Sequence, residues 1–175
     1  MHLSELFAKH TCVLEVALYG NKISPIGAQS IVYAFTARAK ERLSGNSSIR
    51  GLEILDIGGN PIGNAGVRLI AKLITLEETL VEVHVDHVGF NEEGAHELLC
   101  AMEMRLNNGQ PMRTIWAHGN DISDDFLTSL TNLCRNRHGN AAIDGGSSDE
   151  DDCDHDDRSH TQYQPKPDGV WDAQE

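Results

Sequence analysis

Residues 52–62 read LEILDIGGNPI, and three further stretches hold the same register: VLEVALYGNKI at 13–23, LVEVHVDHVGF at 80–90 and MRTIWAHGNDI at 112–122. Each copy is apolar at its first, fourth, sixth and eleventh positions, and three of the four carry Asn at the ninth. The alternation around positions four to six is that of a short strand with one face in a core and the other turned away from it. Recurrence at fixed register means that each unit buries its apolar side against its neighbours rather than within itself.

Working outward from the ninth-position residues Asn21, Asn60, Val88 and Asn120, two more columns line up. Six residues on stand Gly27, Gly66, Gly94 and Phe126, and ten residues on stand Ile31, Ile70, Leu98 and Leu130. Helices are expected there. Ser24 with Pro25 at the first helical position opens one that runs to Leu43 and stops at Gly45. Asn64 is expected to cap a second, with Val67, Ile70, Ala71 and Ile74 on its apolar side. Asn91, followed by Glu92 and Glu93, opens a third over Glu92 to Leu106. Ser123 opens a fourth, in which Asp124 and Asp125 complement the positive end and Arg135 and Arg137 the negative end. A short helix around Leu3, Leu6 and Phe7 precedes the first strand.

The ninth-position residues lie 39, 28 and 32 apart. The first gap holds an insertion in ARAKERLSGNSSIR, whose Arg38, Lys40, Arg42 and Arg50 read as a solvated helix end and loop, with an acidic-partner patch as the alternative. Two positions break the pattern. Val88 replaces Asn, which is expected to loosen its turn, and Phe126 replaces Gly, which suits a terminal unit.

These columns resemble the leucine-rich repeats of the ribonuclease-inhibitor-like class over about residues 12–135. The resemblance implies an α/β solenoid: a short horseshoe with parallel strands on the concave side and helices on the convex side. That class includes ribonuclease inhibitors, Ran GTPase-activating proteins, nucleotide-sensing receptors and scaffold subunits, which share binding of another macromolecule on the curved surface. Residues 1–138 are thus expected to form one domain of four repeats.

Charge divides the chain at the same place. Of the formal net charge of -13, residues 139–175 contribute -9. That stretch is too polar and too acidic to offset its ordering entropy by burial, so it reads as a disordered acidic tail. Ser147 and Ser148 precede Asp149, Glu150, Asp151 and Asp152, a context resembling acidophilic-kinase sites. An acidic body and tail disfavour nucleic acid as a partner, since phosphate contacts need a basic face. No apolar run is long enough for a membrane helix, and MHLSELFAKH has neither a signal-peptide core nor an Arg-rich transit pattern. A cytoplasmic or nuclear setting is expected. Cys12, Cys100, Cys134 and Cys153 show no paired spacing, and the first three stand next to apolar positions as small reduced hydrophobes.

If Val13, Val16 and Leu18 and their counterparts face inward, the open face of the strands consists of Glu15, Ala17 and Tyr19; Ile54, Asp56 and Gly58; Glu82, His84 and Asp86; and Thr114, Trp116 and His118. Tyr19 and Trp116 among Glu15, Asp56, Glu82 and Asp86 suit a protein partner with a basic surface. Trp116 is the leading anchor, the simpler role being a cross-strand pair with His84. His84, Asp86 and His118 are metal-ligand types that neighbouring strands bring close, yet no fourth ligand or supporting spacing accompanies them. No nucleophile, phosphate loop or oxyanion donors are evident either. The sequence therefore points to a non-enzymatic interaction module or scaffold subunit of a larger assembly, with no cofactor and no metal. A GTPase-activating regulator resembling the Ran GTPase-activating proteins is the alternative.

Overall fold

Three-residue strands form at the third to fifth positions of each copy, where an inward Val, Leu or Ile is flanked by residues on the open face. In the computed structural model these are β1 (Glu15–Ala17), β2 (Ile54–Asp56), β3 (Glu82–His84) and β4 (Thr114–Trp116). The structure describes residues 3–110 and 112–135. The acidic tail, its serines, Arg137 and the boundary at 138 lie outside the described residues. The strands pair in parallel in the order β1-β2-β3-β4, so each copy sits beside the next. The register is strict: Val16 pairs with Leu55, Leu55 with Val83 and Val83 with Ile115. The structure is thus mixed α/β, with a four-strand parallel sheet and five helices among the described residues.

The helices are α1 (Leu3–Lys9), α2 (Pro25–Leu43), α3 (Gly63–Leu76), α4 (Glu92–Asn107) and α5 (Asp124–Arg135). Ser24 and Asn91 cap α2 and α4 as expected, their side-chain oxygens accepting from the backbone N–H of Gly27 and Glu93. Asn64 does not cap α3, whose N-cap is Ile62 with no side-chain bond. Its amide instead bridges to the next copy: Oδ1 accepts from Asn91 N–H at 3.0 Å, and Nδ2 donates to Asn91 Oδ1 at 2.7 Å. The helices therefore align through a polar contact at their amino ends as well as through their apolar sides.

The core lies between sheet and helices. Leu52, Leu55, Ile57, Leu80, Val83 and Val85 are fully buried, together with Phe35, Phe90, Ile70 and Leu98 from the helical side. Burial of one such side chain stabilises by about 1.5–3 kcal/mol, and the columns repeat it copy after copy. Gly66 and Gly94 have a packing reason: a Cβ on Gly66 would lie 2.4 Å from the Ile62 side chain, and one on Gly94 would lie 2.9 Å from Asn64 Oδ1. At α5 no such approach is needed, and Phe126 packs half-buried against the core.

Ninth-position asparagines tie neighbouring turns together. Asn60 is fully buried; its Nδ2 donates to the carbonyls of Leu18, Ile57 and Gly58, and its Oδ1 accepts from Ile23 N–H. Asn120 repeats the pattern, donating to Val85, Ala117 and His118 and accepting from Val88 and Gly89 N–H. The expected loosening at Val88 is therefore not seen, because Val88 is 1% exposed and Asn120 holds its turn from the following copy. The departure shows instead in the backbone. The preceding residue is left-handed in every copy, and where Gly20, Gly59 and Gly119 supply it freely, His87 adopts φ 52.

A second set of polar ties was not expected. Seventeen residues after the register mark stand Arg38, Glu77 and Arg105, and all three are buried. Arg105 donates to the carbonyls of Ile74, Glu77, Glu78, Leu80 and Gln110, gathering the end of α3 and the loops before β3 and β4. Arg38 donates to Thr11, Val13 and Arg50 carbonyls in the same way, through Nη2 alone. Glu77 pairs with Arg42 and accepts from the Thr79 hydroxyl. The basic cluster of the first insertion is thus not wholly solvated: Arg38 bonds backbone carbonyls and Arg42 pairs with Glu77, while Lys40 and Arg50 are exposed. Burial pushes both Arg38 and Arg105 below the ordinary guanidinium value, and Glu77 works against that shift in each case.

Candidate protein-binding face

The face of the sheet turned away from the helices gathers the residues singled out from sequence. Parallel pairing sets Glu15 beside Ile54, Ile54 beside Glu82 and Glu82 beside Thr114 in one row. Ala17, Asp56, His84 and Trp116 form the next row. Alternation along each strand is what puts them on one side: β1 is exposed, buried, exposed, and β2 and β3 keep the same order with partial exposure.

Trp116 is central to the β3–β4 end of this face. Its ring lies 5.9 Å from that of His84 across the strand pair and 6.2 Å from that of His118 two residues on. The indole is held on both sides yet remains 44% exposed. The cross-strand pair with His84 is present, and it leaves part of the indole exposed. Tyr19 stands at the other end, 48% exposed. Its ring lies over the Gly58–Gly59 turn so closely that a Cβ on Gly58 would come within 2.9 Å of it. Gly58 is accordingly buried, which removes it from the twelve positions expected on the open face.

The acidic residues are less free than their spacing suggests. Glu82 Oε1 is 2.8 Å from His84 Nε2, and its second oxygen is 3.9 Å from Arg113 Nε. Asp56 Oδ1 accepts from Gly58 N–H at 2.9 Å, and Asp86 Oδ1 accepts from His118 N–H at 2.9 Å, so both stiffen turns. Each keeps a second carboxylate oxygen for a partner. Glu15 is exposed on the outermost strand. Electrostatically the face is a band of negative charge pinned in place, with the histidines and Arg113 tempering it beside Trp116.

His84, Asp86 and His118 are neighbours without forming a ligand set. His84 is turned to Glu82, and Asp86 is engaged with the backbone of His118. Among the described residues no group of three His, Cys, Asp or Glu is arranged to hold a metal ion. Two cysteine expectations change: among the described residues Cys12 and Cys100 are exposed and Cys134 is buried, and Cys153 lies outside them. Burial raises the Cys134 thiol above its ordinary value, against a smaller lowering from a hydrogen bond with the Ile115 backbone.

Sequence reasoning missed His87, whose ring covers Gly119 at the rim of this face. The signal was available, since Gly recurs at the eighth position in the other three copies and His87 replaces it. No helix among the described residues is long and apolar enough to cross a membrane. Comparison with models of known protein families finds none that matches the chain, and comparison with curated proteins finds no significant match.

Proposed function

We propose that the chain is a short leucine-rich-repeat solenoid of the ribonuclease-inhibitor-like class that acts as a non-enzymatic protein-interaction module. Its strand face is the binding surface, concave in this reading, and its partner is a protein with a basic surface. One observation carries the proposal: Trp116 is flanked by the rings of His84 and His118 while nearly half of it stays open. An aromatic that loses little freedom on binding, bordered by carboxylates, is the composition of an interface anchor. Glu15, Tyr19, Asp56, Glu82, Asp86 and His118 complete the patch. A scaffold subunit of a larger assembly, in the cytoplasm or nucleus, fits this reading.

The test is affinity capture with wild type and with a Trp116→Ala/Tyr19→Ala double variant, at low and high salt. A partner held by wild type, weakened by salt and lost from the double variant supports the proposal. The same partners on both proteins refute it. Accelerated GTP hydrolysis by a small GTPase would favour the alternative of a GTPase-activating regulator.

A further inference from the structure

The two edges of the sheet are not finished alike. In the second and third copies the inward columns Leu52, Ile57, Leu80 and Val85 are fully buried, and at the β4 edge Met112 and Ala117 are 1% and 2% exposed. At the β1 edge the corresponding Val13 and Leu18 are only partly covered, as is Ile23. Apolar surface therefore stays open beside β1 at Val13, Leu18 and Ile23, whereas at the β4 edge it is Ile115 and Ile122 that are partly covered.

Three features show what is missing there. Leu18 and Gly20 N–H donate to Asp56 and Gly58, and Leu14 accepts from Ile54, so the backbone of the even-numbered residues faces β2. By alternation, the N–H and C=O of Glu15 and Ala17 point away from the sheet, where no strand among the described residues meets them. Asn21 is the second sign. Asn60 and Asn120 each donate to the sixth-position carbonyl of the preceding copy, Leu18 and Val85, whereas Asn21 donates only to Tyr19, two residues away. Its amide is the tie of the array without the preceding turn. Third, α1 already packs on α2, with the rings of Phe7 and Phe35 5.0 Å apart and Phe7 5% exposed. The place that a preceding helix would take is filled, and the place of its strand is not.

We propose that the β1 edge is a second binding site, which takes an extended peptide segment of a partner protein as a fifth strand parallel to β1. Backbone pairing with Glu15 and Ala17 supplies affinity, an apolar side chain beside Val16 and another beside Leu18 complete the core, and a basic residue beside Glu15 matches its charge. A second copy of this chain fits less well, because stacking its β4 with the following α5 against β1 would drive α5 into α1. The surface lies at the edge of the sheet and does not depend on the role assigned to Trp116.

The probe is an acetylated, amidated nine-residue peptide with Leu at the inward positions and Lys at those on the open face, titrated into the full-length, isotope-labelled chain. The expected result is that amide exchange at Glu15 and Ala17 slows at least about tenfold on saturation. Ala17→Pro removes an outward N–H that no internal bond uses, so it is expected to weaken the peptide at least about tenfold while leaving thermal unfolding of the free protein nearly unchanged. Glu15→Lys gives a second reading without a backbone change: it is expected to weaken the Lys peptide and not a Glu-bearing analogue. Absence of protection at millimolar peptide overturns the proposal. So does perturbation centred on the Trp116 indole, which would place the peptide on the open face. Protection of Ala17 in the free chain at any concentration identifies the rest of this chain as the occupant, and protection that grows with protein concentration identifies a second copy; either overturns it.

Discussion

Arg105→Met is the substitution with the largest expected effect outside the apolar core. The side chain is 2% exposed, and all three of its nitrogens are placed: Nε on Gln110, Nη1 on Ile74, Glu77 and Leu80, and Nη2 on Glu78, at 2.8–3.1 Å. A hydrogen bond from a charged donor contributes about 1.5–3 kcal/mol, but these five share one guanidinium and its desolvation cost, so they do not add. Methionine keeps much of the apolar stem and leaves the carbonyls without their donor. The expected loss is about 3–5 kcal/mol, a large part of the stability of a domain of this size. In a thermal scan that corresponds to a fall of roughly 10–20 °C. Lysine retains the charge but has three donors on a single atom and no fork, so Arg105→Lys is expected to recover about half. Arg38→Met is the internal comparison. It is buried in the same column, yet its Nε and Nη1 have no hydrogen-bond partner and only Nη2 is used, so its loss is expected to be about 1–2 kcal/mol. Urea unfolding of the three variants measures these differences. An Arg105→Met loss below about 1 kcal/mol, or one no greater than that of Arg38→Met, would refute the claim that hydrogen-bond placement rather than burial sets the contribution.

Asn60→Ala is expected to cost about 2–4 kcal/mol, because it removes a hydrogen bond from four backbone groups, those of Ile57 and Gly58 in the interior and those of Leu18 and Ile23 partly covered, whereas Asn21→Ala should cost under about 0.5 kcal/mol; equal losses in chemical denaturation would contradict this. Thiol labelling of the native protein should modify Cys12 and Cys100 rapidly, while Cys134 reacts only on unfolding, since it is buried and its thiol is raised; mass spectrometry after brief alkylation reads this directly. Arg38 and Arg105 give a pH expectation of definite sign. Their folded-state values are lowered by burial, so the unfolded chain holds its protons more tightly, and stability gains from them as pH rises through the range between the folded and unfolded values. Urea unfolding at stepped alkaline pH checks the sign: wild-type stability that falls relative to Arg105→Met as pH rises would count against the assignment.

The strand columns were legible because their cause is local. A side chain at the fourth or sixth position has the same neighbours in every copy, so Leu55, Val83 and Ile115 could be placed from their spacing alone. The amino-terminal caps at Ser24 and Asn91 were legible for the same reason: a cap bonds a backbone group two or three residues away. Asn64 has equal cap chemistry, but its helix starts one residue earlier, and its amide meets Asn91 and Glu93 of the next copy. Charge was read least well. Arg38, Arg42, Glu77 and Arg105 look like surface residues in the sequence, and only the stacking of helix ends against the loops before the following strands shows that they satisfy buried carbonyls or one another. The same holds on the open face, where Glu82, Asp56 and Asp86 were recognised as its acids but not as groups already engaged with His84 and with turn backbone.

By itself the sequence determined the repeating register, the direction in which each strand residue points and, Gly58 apart, the residues expected on the open face. These follow from alternation and register, which depend on the order of side chains along the chain. The tertiary structure decided which polar groups are spent internally and which remain for a partner. It turned Asn60 and Arg105 into ties, left Asn21 and the backbone of Glu15 and Ala17 without a neighbouring strand, and seated Trp116 between two histidines. Those outcomes depend on which copy stands beside which and on what each edge lacks. Hydrogen-bond demand is met across the sheet rather than along the chain, and so it is settled only when the copies pack together.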